Sequence, residues 1–294
     1  MSTAIVGIGC DVAQELAAEV LTFSIHRHAA NRVEVVKLRQ MLETDEIDRA
    51  PLPRQRTPFS FQRFLLAKLM LDRRCDVAVY LDSDMLVLRD IEELVDLFEQ
   101  TKAPVATVEP MSNWRRRRQS SVLVMNRLGA EQLWSSFRRH LSGDIAYDEL
   151  IYLRTVGTVG TLPYRWNCLE YLDEQTALLH YTDMDAQPWL WEGNPNAGIW
   201  YTYLWLYTQE GGGRSLVERE IERGHVRPAL KSIIDAGPSL SAVSSSARFR
   251  DLLFVPPHRF RVVRGRVART VFAPVLRVAI RMQFLLTNGQ PNIR

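Results

Sequence analysis

The segment VAVYLDSDMLVLRD, residues 77–90, carries five core-forming residues straight into two carboxylates one residue apart, then turns apolar again. VAVYL has the composition of a buried strand, so Asp82 and Asp84 fall where that strand ends. Charges set against an apolar core are costly unless something positive compensates them. The stretch therefore predicts a strand end with a cation, a proton or an arginine beside it.

Upstream, AIVGIG (4–9) is a short apolar run ending in glycine, DVAQELAAEVLTFSIHRH (11–28) repeats its apolar residues at helical spacing, and VEVVKL (33–38) reads as a second strand. This β-loop-α-β order opens an α/β fold, a Rossmann-like, mostly parallel sheet flanked by helices. Residues 43–58 are polar and proline-containing, hence a loop, and FSFQRFLLAKLMLDRR (59–74) is a helix. Downstream, DIEELVDLFEQ (90–100) is a helix capped by its own aspartate. APVATVE (103–109) and SSVLVMN (120–126) are strands, with the loop PMSNWRRRRQ between them. AEQLWSSFRRHL (130–141) and DELIYLRTV (148–156) read as helices, and a tryptophan-rich region follows to about residue 206. After GGGRS (211–215) the character changes: VEREIERGHVRPALKSIIDAG (217–237) reads as helix, SLSAVSSSA (239–247) as a loose connection and 248–294 as an arginine-studded tail. The expected division is a catalytic domain over 1–210 and a helical, basic extension over 211–294.

A chain of 294 residues, 46% hydrophobic and 24% charged, can bury a sizeable core. Its net charge of +3 is low for a nucleic-acid binder. Only Lys37, Lys68, Lys102 and Lys231 are lysines and every other basic residue is arginine, whose planar fork suits phosphate and carboxylate. Three widely spaced cysteines, Cys10, Cys75 and Cys168, form neither a disulfide framework nor a CxxC metal pattern, which points to a reducing compartment. With no signal-peptide pattern and no long apolar run, the expectation is a cytoplasmic protein, either soluble or peripheral on the inner face of a membrane.

Ligands of open parallel sheets gather beyond the carboxyl ends of the strands, where Asp82 and Asp84 lie. In extended backbone, residues i and i+2 point the same way, so both carboxylates can face one ion. Carboxylate oxygens select hard cations such as Mg²⁺ or Mn²⁺, which commonly share their coordination with substrate phosphates. A second cluster lies in LLHYTDMDAQPWLW (178–191), where His180 follows an apolar run and the segment ends in Pro-Trp. A histidine there is either a packed core residue or a third ligand, and convergence with the acid pair decides between the two.

Over roughly residues 4–205 several motifs occur in a fixed order. They are the N-terminal strand and the Ser24-Ile25 helix, Arg63 before the acid pair, YLDSDMLVLRDIEEL, SSVLVMN, Asp148-Glu149, LPYRWN and HYTDMDAQPW. In that order they resemble the retaining glycosyltransferases of the glycogenin and lipopolysaccharide galactosyltransferase group, family 8, which have a GT-A fold. The resemblance implies that Asp82, Asp84 and His180 hold Mn²⁺ (or Mg²⁺) on the diphosphate of a UDP-sugar donor. It places Gly7, Ile8, Gly9 and Asp11, at the end of the first strand, and Ser83 beside the nucleotide, with Gln187 near the diphosphate. It brings Arg63 to the donor sugar or its phosphate, and Asp148 and Glu149 to the donor sugar as polar groups that orient it or stabilise charge. Retention in this family is attributed to front-face attack with the leaving phosphate helping to deprotonate the acceptor.

The chain departs from the family pattern at three places. Gln187 stands where a lysine is frequent before Pro-Trp, one residue further from the histidine than usual. Gln119-Ser120-Ser121 replaces an Asn-x-Gly, and Glu149 replaces a glutamine. Each touches the sugar pocket, so the nucleotide-metal site is less affected than donor identity.

Two arginine-rich segments point toward the acceptor side, a glycan, glycolipid or small molecule. WRRRRQ (114–119) is either a solvated loop or a cradle for an anionic acceptor. RFRVVRGRVARTVFAPVLRVAIRMQFLL (259–286) contains no acidic residue; within 248–294 it either meets an anionic membrane surface or packs on the catalytic domain. Two alternatives compete with the transferase. A haloacid-dehalogenase-type phosphatase also places DxD after a strand, although early in the chain. A non-enzymatic basic protein binding membrane or nucleic acid would leave HYTDMDAQPW unexplained.

Overall fold

The computed structural model describes residues 4–31, 33–39, 60–73, 75–109, 120–239, 243 and 245–258. The strands in chain order are β1 (Ala4–Gly9), β2 (Glu34–Lys37), β3 (Val77–Asp82), β4 (Met85–Val87), β5 (Val105–Val108), β6 (Val122–Asn126), β7 (Val159–Leu162), β8 (Cys168–Leu169) and β9 (Leu178–His180). Six of them form one sheet in the order β2-β1-β3-β6-β5-β7, in which β6 alone runs antiparallel to its neighbours. A smaller sheet has the order β4-β9-β8.

Alternation along the strands explains why helices cover both faces. Val6, Ile8, Val79, Leu81, Val122 and Val124 face one side, where α1 (Glu15–His28) brings Leu21 and Ile25 and, further along the chain, Glu92–Thr101 brings Leu94 and Phe98. Ile5, Ala78, Tyr80, Leu123 and Met125 face the other. There α2 (Gln62–Arg73) supplies Phe64 and Leu65, which meet Leu133 and Phe137 from Arg127–Leu141. The rings of Phe64 and Phe137 stack with centroids 5.2 Å apart. A strand buried on both faces reads as a near-continuous apolar run, as VAVYL does.

Helix ends differ from the expected bounds for local reasons. With α3 as Glu92–Thr101, Asp90 still caps its start through Glu92 N–H at 3.0 Å. The next helix, α4 (Arg127–Leu141), begins three residues earlier than expected because Asn126 accepts the Gly129 N–H at 3.0 Å. The helix expected over 148–156 is the short α5 (Tyr147–Ile151), which stops before Leu153 at a left-handed φ of 54°. The single helix expected over 217–237 is two, because Gly224 adopts φ +71° and Pro228 offers no N–H. Expectations for 43–58, for WRRRRQ and for 259–294 lie outside the described residues.

By compactness the chain divides into one unit of Met1–Cys168 with Asp173–Leu179 and another of Leu169–Leu172 with His180–Arg294. The second unit contains α6 (Ala197–Glu210), α7 (Arg214–Glu222), α8 (Leu230–Ala236) and α9 (Ser245–Leu253). Its interior is organised by Arg227, which is wholly buried. The guanidinium donates to Asp251 Oδ2 at 2.7 Å, the Tyr201 hydroxyl at 2.8 Å and the Pro188 carbonyl at 3.3 Å, and its backbone N–H reaches the Trp189 carbonyl at 2.9 Å. Asp251 also accepts the Ala229 N–H at 2.9 Å. Burial pushes the Tyr201 phenol up to about 12, so it stays neutral beside the cation. These bonds tie the Pro-Trp segment to α6 and α9.

Arg227→Met is expected to cost about 3–5 kcal/mol of unfolding free energy, because Asp251 would stay buried without its cation. Urea denaturation measures this, and a loss below about 1 kcal/mol, the scale of one ordinary hydrogen bond, would contradict the role given to Arg227.

Candidate active site

The opening acid pair sits on a turn between two strands of different sheets. β3 ends at Asp82, Ser83 and Asp84 form the turn, and β4 starts at Met85. The two carboxylates are therefore brought together by a turn, and not by the straight strand that i, i+2 spacing suggested. The turn is fastened from several sides. Asp82 N–H donates to the Ser121 carbonyl at 3.2 Å and Ser83 N–H to the Gly9 carbonyl at 3.0 Å. The Ser83 hydroxyl donates to Gln14 Oε1 at 3.0 Å, and Val87 N–H to the Ser24 hydroxyl at 3.1 Å.

His180 is the last residue of β9. Asp82, Asp84 and His180 each present one ligand atom, and these atoms all lie within 4.8 Å of one another. His180 is 4% exposed and Asp84 9%. Two carboxylate oxygens and one imidazole nitrogen fit a divalent ion: the oxygens favour Mg²⁺ or Mn²⁺, and the nitrogen tilts the choice toward a transition ion such as Mn²⁺. Three protein donors leave coordination positions for oxygens of a substrate.

Arg63, which the resemblance brings to the donor sugar or its phosphate, is buried. One guanidinium nitrogen lies 3.8 Å from Asp82 Oδ1, and another donates to the Ser120 carbonyl at 2.9 Å and to the Ser120 hydroxyl. That hydroxyl in turn donates to the Ile151 carbonyl at the end of α5, 3.3 Å away. Asp148 and Glu149 precede it on α5; both are exposed, and neither belongs to the three-residue ligand group. Glu149 accepts the Ala146 N–H at 3.0 Å, as an acid in a first helical turn does.

The remaining predicted residues divide between rim and core. Asp11 is half-buried after β1 and accepts the Ala13 N–H at 2.9 Å, capping the 3-10 turn Val12–Gln14. Gly9 pairs in register with Asp82. Gly7 and Ile8 lie inside the β1 ladder; a Cβ on Gly7 would come 2.7 Å from Leu66, and Ile8 is wholly buried. Gln187 is buried and donates to the Tyr181 carbonyl at 3.0 Å, closing the loop that starts at His180.

Supporting residues that pattern reading passed over are as telling. Gln62 straddles the Cys10 peptide, accepting its N–H at 2.9 Å and donating to its carbonyl at 2.8 Å, and so extends β1 beyond its last strand partner. Burial lifts the Cys10 thiol to about 11, leaving it protonated and inert. Asn167, from the LPYRWN motif, donates to the Ser121 hydroxyl at 3.2 Å. Glu170 sits at φ 55° and accepts from Asp183 N–H at 2.9 Å and Asn194 at 3.3 Å; burial raises its carboxyl above the usual range. Of these, Asn167 lies in a motif that gave no hint of its partner, Gln62 stands next to Arg63, and Glu170 carries no sequence signal.

No family model matches the chain. It is 26% identical over 242 residues to Protein CDI of Arabidopsis thaliana, an alignment covering 69% of this chain and 86% of that protein. Among solved structures it is similar to the bifunctional glycosyltransferase WbbM, at 18% identity and a TM-score of 0.50 over 69% of this chain and 50% of that one. It is also similar to the glycosyltransferase GlyE of Streptococcus pneumoniae TIGR4, at 15% identity and a TM-score of 0.50 over 69% of this chain and 60% of that one. The chain thus spans half to three-fifths of these structures. What they share with it is the fold, the mostly parallel, helix-flanked sheet of GT-A glycosyltransferases.

Replacing Arg63 with methionine should destabilise the protein by about 1.5–3 kcal/mol through its charge-assisted hydrogen bonds. Chemical denaturation of the ion-free protein reads this directly, and a neutral result would remove Arg63 from the frame of the site.

Proposed function

We propose that the chain is a metal-dependent, retaining glycosyltransferase that moves a hexose from a UDP-sugar to a glycan, glycolipid or small-molecule acceptor. The observation carrying this reading is the convergence of His180 with Asp82 and Asp84, residues about a hundred positions apart in sequence, as one ligand group. A divalent ion held there would neutralise the leaving diphosphate as a Lewis acid.

The chain's own residues fill the remaining roles. Asp82, Asp84 and His180 hold the ion, with Arg63 keeping the Asp82 carboxylate compensated. The backbone at Gly9, Asp11 and Ser83 borders the nucleotide, with Gly7 and Ile8 as the rigid strand behind it. Gln187 keeps the His180 loop closed. Asp148 and Glu149, on α5 beyond the Arg63–Ser120–Ile151 chain of contacts, serve the sugar side by orienting the hexose or stabilising charge at its anomeric carbon. The phosphatase reading makes Asp82 a nucleophile and gives His180 no task.

The acceptor end of the proposal includes an anionic membrane surface reached through residues 248–294, on a cytoplasmic protein peripheral to the inner face. Its support among the described residues is α9, where Phe249, Leu252 and Leu253 are exposed beside Arg248 and Arg250. No helix among the described residues is long and apolar enough to cross a membrane.

UDP should raise the melting temperature in the presence of Mn²⁺ and not in its absence. Asp84→Asn should abolish the metal-dependent part while leaving the ion-free melting temperature within a few degrees of wild type. Stabilisation by phosphate mimics in place of UDP would favour the phosphatase. Indifference to both would remove the enzyme reading.

A further inference from the structure

Tyr80 has no part in the reading above, yet its hydroxyl donates to Asp82 Oδ1 at 2.7 Å. The ring is wholly buried in the core under α2 and α4, so the hydroxyl is held by packing. The Arg63 guanidinium lies over that ring at 5.1 Å and approaches the same carboxylate oxygen. On the neighbouring strand, Gly9 stands in register with Asp82, and a Cβ there would lie 2.1 Å from the Tyr80 hydroxyl oxygen. Even an alanine at position 9 would displace the phenol. Tyr80 on β3 and Arg63 on α2 thus converge on one oxygen of one carboxylate, and Gly9 on β1 leaves the space that the Tyr80 hydroxyl occupies. The terminal torsion of an aspartate is broad, so a carboxylate at a strand end has no fixed plane of its own. A hydroxyl donor anchored in the core supplies one.

We propose that Tyr80 is a positioning residue for the divalent ion: its O–H sets the plane of the Asp82 carboxylate before the ion arrives, and Gly9 is glycine to leave that hydroxyl its place. Hydrogen bonds to ligating carboxylates orient them, and losing such a partner commonly weakens metal binding about 10- to 100-fold. The inference rests on Asp82, Asp84 and His180 being the ion site.

The test is the affinity of the full chain for Mn²⁺ alone, without nucleotide, followed by the paramagnetic resonance signal of free Mn²⁺. Tyr80→Phe keeps the ring and its contact with Arg63 and removes only the donor; its dissociation constant for Mn²⁺ should rise about 10-fold or more. Gly9→Ala should act in the same direction. The double variant should bind no more weakly than the weaker single, because both changes act through one hydroxyl. A merely structural Tyr80 would lower the ion-free melting temperature and leave Mn²⁺ affinity at the wild-type value, and that result overturns the inference. Should Tyr80→Phe not fold, unchanged affinity in Gly9→Ala overturns it equally. Wild-type protein that binds no Mn²⁺ would overturn both the ion site and this inference, whereas binding by wild type and unchanged binding by Tyr80→Phe would overturn this inference alone.

Discussion

Two carboxylates at the mouth of a dry strand are the constraint around which the first unit is arranged. Asp82 ends a strand whose preceding residues are buried on both faces, and Asp84 is itself 9% exposed. Neither charge can rest there on solvent alone. Arg63 supplies part of the compensation from α2, and a histidine on β9 joins the two acids in a donor set compatible with a divalent cation. The surroundings follow from that need. Gln62, next to Arg63, holds the end of β1 in place, Ser121 and Gly9 accept the backbone of the turn, and Ser24 holds the end of β4.

The same logic explains how a GT-A sheet acquires a site with few residues of conspicuous type. The sheet is rigid because both faces are covered, and its strand ends are fixed to within a hydrogen bond by side chains from α1 and α2. Functional groups mounted on such ends keep their geometry without needing a ligand to organise them. The second unit uses a different device for the same purpose. There a buried arginine gathers the Pro188 carbonyl, Tyr201 and Asp251, so that the segment leading away from His180 is anchored by charge-assisted bonds.

Much of the fold was legible in the sequence because the relevant signals are local. AIVGIG and VAVYLD announce their strands by apolar runs of the right length, and both match the observed bounds. The acid pair stands out in the sequence because charges at a strand end need compensation, while His180 reads either as core or as ligand until the structure groups it with the two acids. What escaped reading depends on backbone torsions or on partners distant in the chain. Leu153 at positive φ ends α5 early although the sequence continues in helical period, and Gly224 with Pro228 divides what reads as one helix. The turn at Ser83 and Asp84 hides β4 within an apolar run that could equally have continued a strand. Arg63 looks like any helix arginine until Ser120 and Asp82 are placed around it. Tyr80 looks like one more core residue of VAVYL, and Gly9 like the end of a glycine-bearing strand, until register brings them together.

The central claim is that Asp82, Asp84 and His180 meet on one divalent ion. Anomalous diffraction from crystals grown with MnCl₂ and UDP tests it most directly. A single manganese peak bonded to a carboxylate oxygen of each aspartate and to the imidazole nitrogen, with UDP oxygens completing the shell, is the predicted result. A manganese peak away from these three residues, or ordered UDP with none beside them, would contradict the account.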